Sequence, residues 1–535
     1  MPNRARAVFA AVTATMLAVA GLSAGAAPAQ AADAPLQIYP VQSIYPASSE
    51  FALTVNGQNV PVTHTRGYET AQLAMGSGTA SVTVRKVNNT AIGAYSITPV
   101  ALGIAGTVSG PTLSFSLSQP RYLIIKIDGR PQLVLTVDPL ETNAPATSGT
   151  GIFNVTAAPD GAQPSTTAYA TTPFQNALND AAAWGSANGG QGTVYVPPGV
   201  WTVGTLYLRS NLALYLAPGA VLRYTGEDGH YDRHWHKDSQ NRDITWFLST
   251  RYSSSNITIY GRGTIDGNGK ASLLPSNLGV NLLTPIYTSH FRLDGITFRE
   301  SSSWAIMPTR SSDMQFTNMK IFNQFDMGEN DGIDVMESTG VSVGNAVGIG
   351  LDDPFSTKTW DAATDLFRNV PGDPRPLDGV TFDGLLSWTY CYGLKAGQGF
   401  LQPQKNVTFA NATVYQAAVG IGVHHKYGTA TASNITFSNI DVEQLPYTND
   451  NNRTWLALWL QDPAGSLPID GVTVKNVRVR DAGTTPARIN GSPTGPINGV
   501  SLNHIVMPGT TTGATSLAAM KITGDTNHGP VTITP

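Results

Sequence analysis

A short phrase recurs along the chain from Asn256 onward, and it restricts the fold more than any other feature of the sequence. Each copy places a turn-forming residue before an aliphatic, a polar and a second apolar residue. The copies are Asn256-Ile257-Thr258-Ile259, Gly295-Ile296-Thr297-Phe298, Asp313-Met314-Gln315-Phe316, Gly379-Val380-Thr381-Phe382, Asn406-Val407-Thr408-Phe409, Asn434-Ile435-Thr436-Phe437 and Gly471-Val472-Thr473-Val474. The steps from Thr381 to Thr408 and from Thr408 to Thr436 are 27 and 28 residues (408 − 381 and 436 − 408). Because a period of about 20 to 50 residues indicates a solenoid, and these repeats offer short strands without a helix, we predict a parallel β-helix with inward ladders of Ile, Val and Phe.

The region before the repeats shows a different strand pattern. Runs such as Phe51-Ala52-Leu53-Thr54-Val55 and Tyr122-Leu123-Ile124-Ile125-Lys126-Ile127 follow one another with no helical stretch, which predicts a β-sandwich. The linker-like stretch Thr147-Ser148-Gly149-Thr150-Gly151 divides the chain into a sandwich domain at 33–150 and a β-helix domain at 151–535. One helix is predicted from Phe174 to Trp184, with Thr172 as its cap and Pro173 at its first position. The predicted class is all-β, a right-handed parallel β-helix (solenoid) preceded by an N-terminal β-sandwich.

The N-terminus and the composition predict where the protein works. A basic start, an apolar run from Ala7 to Leu22 and the small-residue site Ala29-Gln30-Ala31 predict a secretory signal peptide over residues 1–31. Charged residues make up 13% of the chain and the net charge is −4, which provides no basic field for nucleic acid and no polybasic membrane patch. Cys391 is the single cysteine, so no intrachain disulfide is possible and we expect a buried, inert thiol. We therefore predict a secreted, extracellular monomer with no nucleic-acid or membrane partner.

Four aspartates in the middle of the chain are the candidate catalytic groups. Asp331 and Asp334 lie in Glu329-Asn330-Asp331-Gly332-Ile333-Asp334, and Asp352 and Asp353 follow in Gly350-Leu351-Asp352-Asp353. Asp331 precedes Asp352 by 21 residues (352 − 331) and Asp353 by 22 (353 − 331), about one solenoid coil, so these side chains are expected to lie side by side. Glycosidic hydrolysis needs an acid for the leaving oxygen and a base for water, and close carboxylates raise the pKa of at least one of them. The alternative is that the aspartates cap turns or bind calcium.

These motifs resemble those of the right-handed β-helix glycoside hydrolases typified by the polygalacturonases of glycoside hydrolase family 28. That family carries Asn-Thr-Asp-Gly-x-Asp followed by Gly-Asp-Asp, and Leu351 is an additional residue in the second motif here. The phrase Ser301-Ser302-Ser303-Trp304-Ala305-Ile306 is similar to the family's Asn-Ser-Pro-x-Trp coil. The resemblance implies Asp352 as the general acid, Asp331 and Asp353 as the pair that holds the attacking water, and Asp334 as a supporting carboxylate.

Two departures from family 28 leave the sugar open. In Tyr392-Gly393-Leu394-Lys395-Ala396-Gly397, a tyrosine stands where that family has the histidine of Gly-His-Gly. The phrase Gly422-Val423-His424-His425-Lys426-Tyr427 stands near the family's Arg-Ile-Lys, so the bidentate arginine suited to a uronate carboxylate is missing. The candidates for substrate contact or support in these phrases are Tyr392, Lys395, His424, His425 and Lys426, with a solvated turn as the alternative for the last three.

A second resemblance favours a neutral substrate. A β-sandwich followed by a β-helix with three aspartates is similar to the dextranases and isopullulanases of glycoside hydrolase family 49 and to the α-1,3-glucanases of family 87. In those enzymes the paired aspartates lead into a lysine, as Asp352-Asp353 leads into Lys358 here. Trp304 and Trp360 are candidate platforms for the apolar face of a sugar, with packing in the core as the alternative. The polar and aromatic segment from Gly229 to Lys237 predicts a loop that flanks the cleft.

The sequence thus predicts a secreted inverting glycoside hydrolase, independent of metals and cofactors, whose partner is an extracellular polysaccharide. The substrate is either a neutral α-glucan or a pectic chain. One alternative is a polysaccharide lyase on the same fold, which needs calcium-binding carboxylates and a basic residue at the cut. The other is a non-catalytic carbohydrate-binding β-helix, which binds sugar without turnover.

Overall fold

The computed structural model describes residues 32–157, 159, 161–360, 370–461 and 469–535. The predicted signal peptide at 1–31 lies outside these residues. Strands dominate the described chain, which contains one α-helix, α1 at Thr171–Asn188, and three short 3-10 helices at Val100–Leu102, Asp238–Gln240 and Gly269–Leu273. None of the helices within these ranges is long and apolar enough to cross a bilayer. The all-β prediction is confirmed.

The N-terminal region consists of two sheets that share one core. Its strands are β1 Leu36–Ile38, β2 Phe51–Val55, β3 Gln58–Val60, β4 Thr63–Thr65, β5 Tyr68–Met75, β6 Ala80–Lys86, β7 Tyr95–Thr98, β8 Thr107–Ser109, β9 Thr112–Leu117, β10 Tyr122–Ile127 and β11 Gln132–Pro139. One sheet has the order β1-β5-β11-β10-β7 with β4 paired to β5, and the other has the order β3-β2-β6-β9-β8. Inward residues of both sheets, such as Leu53 and Val84 on one and Leu123 and Leu135 on the other, form a single buried cluster. Two sheets over one core are the predicted β-sandwich.

The rest of the described chain winds into coils. Its strands are β12 Ile152–Asn154, β13 Gly192–Val196, β14 Gly199–Thr202, β15 Leu206–Leu208, β16 Leu212–Leu216, β17 Ala220–Arg223, β18 Trp235–Lys237, β19 Arg242–Thr250, β20 Ser255–Gly261, β21 Thr264–Asp266, β22 Gly279–Thr284, β23 Ser289–Asp294, β24 Thr297–Arg299, β25 Ser312–Phe322, β26 Ile333–Met336, β27 Thr339–Gly350, β28 Phe355–Thr359, β29 Leu377–Thr389, β30 Tyr392–Phe400, β31 Gln404–Gln416, β32 Val419–Tyr427, β33 Ala432–Gln444, β34 Thr454–Leu460, β35 Ile469–Val479, β36 Arg488–Asn490, β37 Asn498–Val506 and β38 Thr532–Thr534. A 17-stranded sheet contains β25-β27-β29-β31-β33-β35-β37, and a six-stranded sheet contains β26-β28-β30-β32-β34-β36. Strands of both ladders pair in parallel, one coil on the next, as a parallel β-helix requires.

The repeated phrase marks one position in successive coils of the larger sheet. Phe382, Phe409 and Phe437 pair in register and stack inside the helix, with ring centroids 4.8 and 5.2 Å apart. Where asparagine opens a phrase, it turns the chain with a positive φ, 56° at Asn406 and 52° at Asn434, which asparagine tolerates better than most residues. The Asn434 amide donates to Asn406 Oδ1 at 2.6 Å, so the corners of adjacent coils are linked as well.

Two details of the sequence prediction were wrong. The phrase at Gly295 belongs to another position of the coil, because Thr297 pairs with Thr264 and Lys320 rather than with the phrases on either side. Helix α1 is longer than predicted and begins at Thr171, before the expected cap Thr172, with Ala170 at the N-cap and no side-chain cap hydrogen bond. The apolar face of the helix is buried against the first coils. This packing stabilises helical residues that the capping and composition signals in the sequence do not predict.

The sandwich packs against the outer face of the larger sheet. Tyr68, Ile124 and Val134 of the sandwich form one buried cluster with residues such as Leu386 and Trp388 of the β-helix. In the same contact, Lys320 Nζ lies 2.7 Å from Asp138 Oδ2, and both side chains are buried. The six-stranded sheet, whose strands β26 and β28 directly follow Asp331 and Asp353, contributes no residue to this buried cluster.

Candidate active site

The six-stranded sheet stacks Asp331 beside Asp353. β26 pairs with β28 in parallel, with Ile333 opposite Phe355. The backbone N–H of Gly332 donates to the carbonyl of Asp353 at 3.0 Å, so the same register extends two residues before the strands and places Asp331 opposite Asp353. Since paired strands lie about 4.8 Å apart, Asp331 and Asp353 are direct neighbours across one coil. The offset of 22 residues (355 − 333) agrees with the spacing noted in the sequence.

Asn330 fixes the turn that carries Asp352. Its Oδ1 accepts hydrogen bonds from the backbone N–H groups of Leu351 at 2.9 Å and Asp352 at 3.3 Å. Its Nδ2 donates to the carbonyl of Gln324 at 2.7 Å, and the whole residue is buried. Because a buried amide with both ends bonded has one orientation, the Asp352 turn is held from the preceding coil.

Two buried lysines contact three of the four carboxylates. Lys358 Nζ lies 2.6 Å from Asp331 Oδ2 and 2.8 Å from Asp334 Oδ1. Lys395 Nζ lies 2.6 Å from Asp353 Oδ2. Burial by itself lowers the pKa of an ammonium, but the adjoining carboxylates outweigh this effect and raise the pKa of both lysines. Both side chains therefore remain charged.

The environments of the four carboxyl groups push their pKa values in different directions. Burial raises the pKa of Asp352, and the charge of neighbouring Asp353 raises it further. Burial acts on Asp353 as well, but the ammonium groups of Lys395 and Lys358 outweigh it and hold the pKa of Asp353 below its usual value. Burial and mutual repulsion raise the pKa of Asp331 and of Asp334 against the opposing Lys358. Two ammonium groups do not balance four carboxylates, which favours a proton on the carboxyl groups whose pKa is raised.

Asp352 is the carboxyl group best suited to carry one of these protons. No lysine, arginine or histidine of the described chain lies within 4.0 Å of its carboxylate, whereas each of the other three aspartates has a lysine partner. It is also only half-buried, while Asp331 and Asp353 are each 2% exposed and Asp334 is fully buried. A protonated Asp352 beside an ionised Asp353 is an acid and a base at one site.

The aspartates open into a cavity of about 510 Å³. Its lining comes from several coils and loops and includes Lys237, Trp304, Glu329, Asp331, Asp352, Asp353, Lys358, Trp360, Cys391, Lys395, Gln398, Lys426, Tyr427, Asn449 and Asp450. Cys391 is buried, as predicted, but its Sγ and one carboxylate oxygen each of Asp352 and Asp353 all lie within 4.8 Å of one another. Burial raises the pKa of this thiol well above its usual value, so it adds no charge beside the acid.

The predicted loop contributes to this cavity through Lys237. This residue ends β18, its Nζ lies 2.5 Å from Glu329 Oε2, and it lies 4.3 Å from the ring centroid of Trp304. Lys358 Nζ approaches the same ring at 4.2 Å. With 8% of its surface exposed and two ammonium groups against it, Trp304 packs on the lysines more than it faces the open cavity. The sequence did not identify Lys237 or Glu329 as site residues, because their contact joins two segments far apart in the chain.

The other predicted contact residues divide into two groups. Trp360 and Lys426 line the cavity, and Trp360 packs on Tyr427 with ring centroids 5.7 Å apart. Tyr392, His424 and His425 are absent from its lining. Tyr392 is fully buried and packs between Lys395, whose Nζ lies 4.7 Å from its ring centroid, and the His424 ring.

Neither histidine provides a cation for a substrate. His424 lies between Tyr392 and Trp459, its Nε2 is 2.7 Å from Gln461 Oε1, and burial lowers its pKa to about 3. The His425 ring stacks on Phe400, and burial lowers its pKa too. Successive residues of a strand face opposite sides, so these two side chains diverge. Both are therefore neutral at physiological pH, and neither lines the cavity in which they were candidates for substrate contact.

Comparison with known proteins connects this site to one family. The model of the family described as glycosyl hydrolases family 28 matches residues 233–363, the segment that contains all four aspartates. An exopolygalacturonase of Zea mays is 25% identical over 336 residues, which cover 58% of this chain and 73% of that protein. A probable polygalacturonase of Vitis vinifera is 26% identical over 208 residues, which cover 36% of this chain and 41% of that protein.

The solved structure of a polygalacturonase from Erwinia carotovora aligns with a TM-score of 0.53 and 17% identity. The alignment covers 69% of this chain and 96% of that structure, which shows that the two share a fold. Over the segment that contains the aspartate motifs the chain is thus similar to glycosyl hydrolases family 28, and it shares its parallel β-helix fold with the Erwinia carotovora polygalacturonase.

Proposed function

We propose that this protein is an exported, inverting glycoside hydrolase that cleaves a pectic chain of the polygalacturonate type. The observation that carries the proposal is the asymmetric pair in the cavity. Asp352 lacks a cationic partner among the described residues and has a raised pKa, while Asp353 is held ionised by Lys395 at 2.6 Å. Export is supported by the signal-peptide pattern at 1–31, and the substrate class by the relatives named as polygalacturonases.

The proposed reaction uses three of the aspartates. Asp352 gives its proton to the glycosidic oxygen as the bond from the anomeric carbon to that oxygen breaks. A water held by Asp331 and Asp353 bonds to the anomeric carbon and passes its proton to Asp353. The products are a chain with a new reducing end and a chain whose former glycosidic oxygen is now a free hydroxyl group, and water is the only reactant consumed. Lys358 positions Asp331 by a direct contact at 2.6 Å, and Asp334, which does not line the cavity, holds Lys358 at 2.8 Å.

A neutral α-glucan is the second candidate substrate. Among the described residues that line the cavity there is no arginine, and His424 is buried and neutral, so the bidentate partner that suits a uronate is missing. The other lysines that line the cavity each have a carboxylate partner, whereas Lys426 has no carboxylate within 4.0 Å in the described chain. Its free positive charge can attract the carboxylate of a uronate, which favours the pectic substrate.

The decisive experiment measures reducing ends released from polygalacturonate, dextran, pullulan and α-1,3-glucan, with proton NMR of the first product. We expect release from polygalacturonate and a product of inverted anomeric configuration. Inverting enzymes separate their two carboxyl groups by about 6.5–9.5 Å, whereas about 5–5.5 Å suits retention. One oxygen of Asp352 and one of Asp353 lie within 4.8 Å of each other, which is closer to the retaining range, so the configuration of the product is decisive and a retained anomer would overturn the inverting assignment. A product absorbing in the ultraviolet would indicate a lyase, and activity on dextran alone would overturn the pectic substrate.

The pH dependence of activity tests the role of Lys395. Activity should rise as Asp353 ionises and fall at higher pH as Asp352 loses its proton. In Lys395→Met the ammonium that lowers the pKa of Asp353 is gone, so the rising limb of the kcat/KM profile should move to higher pH. Lys405→Met is the matched control, because Lys405 is an exposed partner of Asp378 at 3.1 Å. An unmoved acid limb in a folded Lys395→Met protein would show that Asp353 is not the base.

A further inference from the structure

A second groove lies on the opposite ladder, where the edge of the sandwich meets the larger sheet of the β-helix. It has a volume of about 420 Å³. The sandwich contributes Pro99, Leu102, Pro120 and Arg121, and the β-helix contributes strands β27, β29, β31, β33 and β35. None of the four aspartates of the active site lines it. The groove lies beside the outer face around Leu386 and Trp388, which the sandwich covers.

The groove carries unpaired positive charge. Its lining includes Arg121, Arg478, Arg480 and one carboxylate, Asp441. Asp441 is paired with Arg480, whose Nε and Nη2 donate to its two carboxylate oxygens at 2.7 to 3.0 Å. Arg121 and Arg478 have no carboxylate within 4.0 Å in the described parts of the chain, and Arg478 Nε is buried without a hydrogen-bond partner there.

The nearest other carboxylate does not neutralise these arginines. Glu443 accepts from Thr98 Oγ1 at 2.6 Å and from the backbone N–H of Val100 at 2.7 Å, which fastens the sandwich to β33. Burial raises the pKa of Glu443 as well. Two guanidinium groups are thus directed at the groove with no internal partner, and a guanidinium is the side chain best matched to a carboxylate.

A row of amides forms one rim of the groove. Asn411, Asn439 and Asn476 are exposed at successive corners of the coil, each with a positive φ between 52° and 56°. Asn439 Nδ2 donates to Asn411 Oδ1 and Asn476 Nδ2 donates to Asn439 Oδ1, both at 3.0 Å. Each amide nitrogen carries two hydrogens, so one donor per residue stays free for a ligand. The donors repeat at about the 4.8 Å coil spacing, comparable to the length of one sugar residue.

We propose that this groove is a non-catalytic binding site for a segment of an acidic polysaccharide. Arg121 and Arg478 bind uronate carboxylates, and the asparagine rim bonds to the sugar hydroxyl groups. The identity of the ligand as the enzyme's own substrate polymer rests on the proposed function, whereas its acidic character rests on the groove. A chain held here keeps the polymer on the enzyme between cleavages, which lowers the KM for long chains and leaves short oligomers unaffected.

The test compares the double variant Arg121→Ala/Arg478→Ala with Arg85→Ala/Arg292→Ala. The control removes the same two charges at surface positions outside the groove, where Arg85 contacts Asn89 and Arg292 contacts Asp313. We expect the groove variant to raise KM for long polygalacturonate about tenfold, the loss that follows from removing charge-assisted hydrogen bonds, with kcat unchanged. Kinetics on trigalacturonate should be those of the native protein, and the control should match the native protein on both substrates.

Binding without turnover separates this proposal from the proposed function. Affinity electrophoresis of Asp352→Asn protein through gels containing polygalacturonate or dextran should show retardation by the acidic polymer that the two groove substitutions reduce. If the native enzyme fails to hydrolyse polygalacturonate but this retardation persists, the proposed substrate is wrong and the groove stands. Equal retardation with and without Arg121 and Arg478, or equal retardation by dextran, would overturn the groove proposal.

Discussion

Replacing Asp352 by asparagine is expected to lower kcat on the polysaccharide about a thousandfold while KM changes little. The asparagine has the same size and keeps the backbone contact to Asn330, but it has no proton to give to the leaving oxygen. General acid catalysis contributes about a hundredfold to ten-thousandfold, and a sugar alkoxide is a poor leaving group that needs most of it. Reducing-end release at saturating substrate measures the effect.

Asp470→Asn is the control for this substitution. Asp470 is an exposed aspartate of β35 that lies outside both the cavity and the groove, so its variant should keep the native rate. The melting temperature of Asp352→Asn should equal or exceed that of the native protein, because a half-buried acid without a cationic partner contributes no ion pair to stability. Native kcat in a folded Asp352→Asn protein would show that another group protonates the leaving oxygen.

The sequence predicted those parts of the site whose contacts lie within one coil or between two neighbouring coils. The stacking of Asp331 on Asp353 follows from a coil of fixed length and a straight ladder, so counting residues was sufficient. Lys358 belongs to the same coil as Asp353, and its role near the aspartates was also accessible from the motif. The repeat of the larger sheet was visible because inward positions require apolar residues and the corners favour residues that tolerate a positive φ, such as asparagine and glycine, in successive coils.

Contacts that join distant segments were not accessible from the sequence. Lys237 reaches Glu329 and Trp304 from a loop whose path depends on the docking of the coils. The second groove lies beside the part of the outer sheet that the sandwich covers, and no local pattern encodes that edge. His424 and His425 looked alike in the sequence, but strand alternation and ring stacking bury each against a different neighbour.

Lys358→Met is expected to cause the largest loss of stability among the substitutions at this site. Lys358 is the lysine partner of both Asp331 and Asp334, and all three side chains are at most 3% exposed. Removing one partner of a buried ion pair costs about 3–5 kcal/mol, because the remaining charge stays buried without compensation. Chemical denaturation followed by intrinsic fluorescence at pH 8 should show a lower midpoint in the variant.

The loss should depend on pH, and its sign follows from the aspartates. Burial already raises the pKa of Asp331 and Asp334 in the folded protein, so the folded state binds more protons than the unfolded state and stability falls as pH rises through this range. Without Lys358 both pKa values rise further, which extends the loss to higher pH. The variant should therefore be closest to the native protein near pH 4, where the carboxyl groups are protonated in both, and least stable at pH 8.

Lys405→Met again provides the matched control, since an exposed lysine contributes little to stability and its variant should show no comparable pH dependence. A destabilisation of Lys358→Met that is equal at pH 4 and pH 8 would mean that the lysine acts by packing against Trp304 and not by its charge. Adding Asp334→Asn to Lys358→Met should recover part of the lost stability at pH 8, because one of the two uncompensated carboxylates is then neutral at every pH. Recovery in the double variant, together with the pH dependence of the single one, would assign the stabilising effect of Lys358 to the charge it shares between the two aspartates.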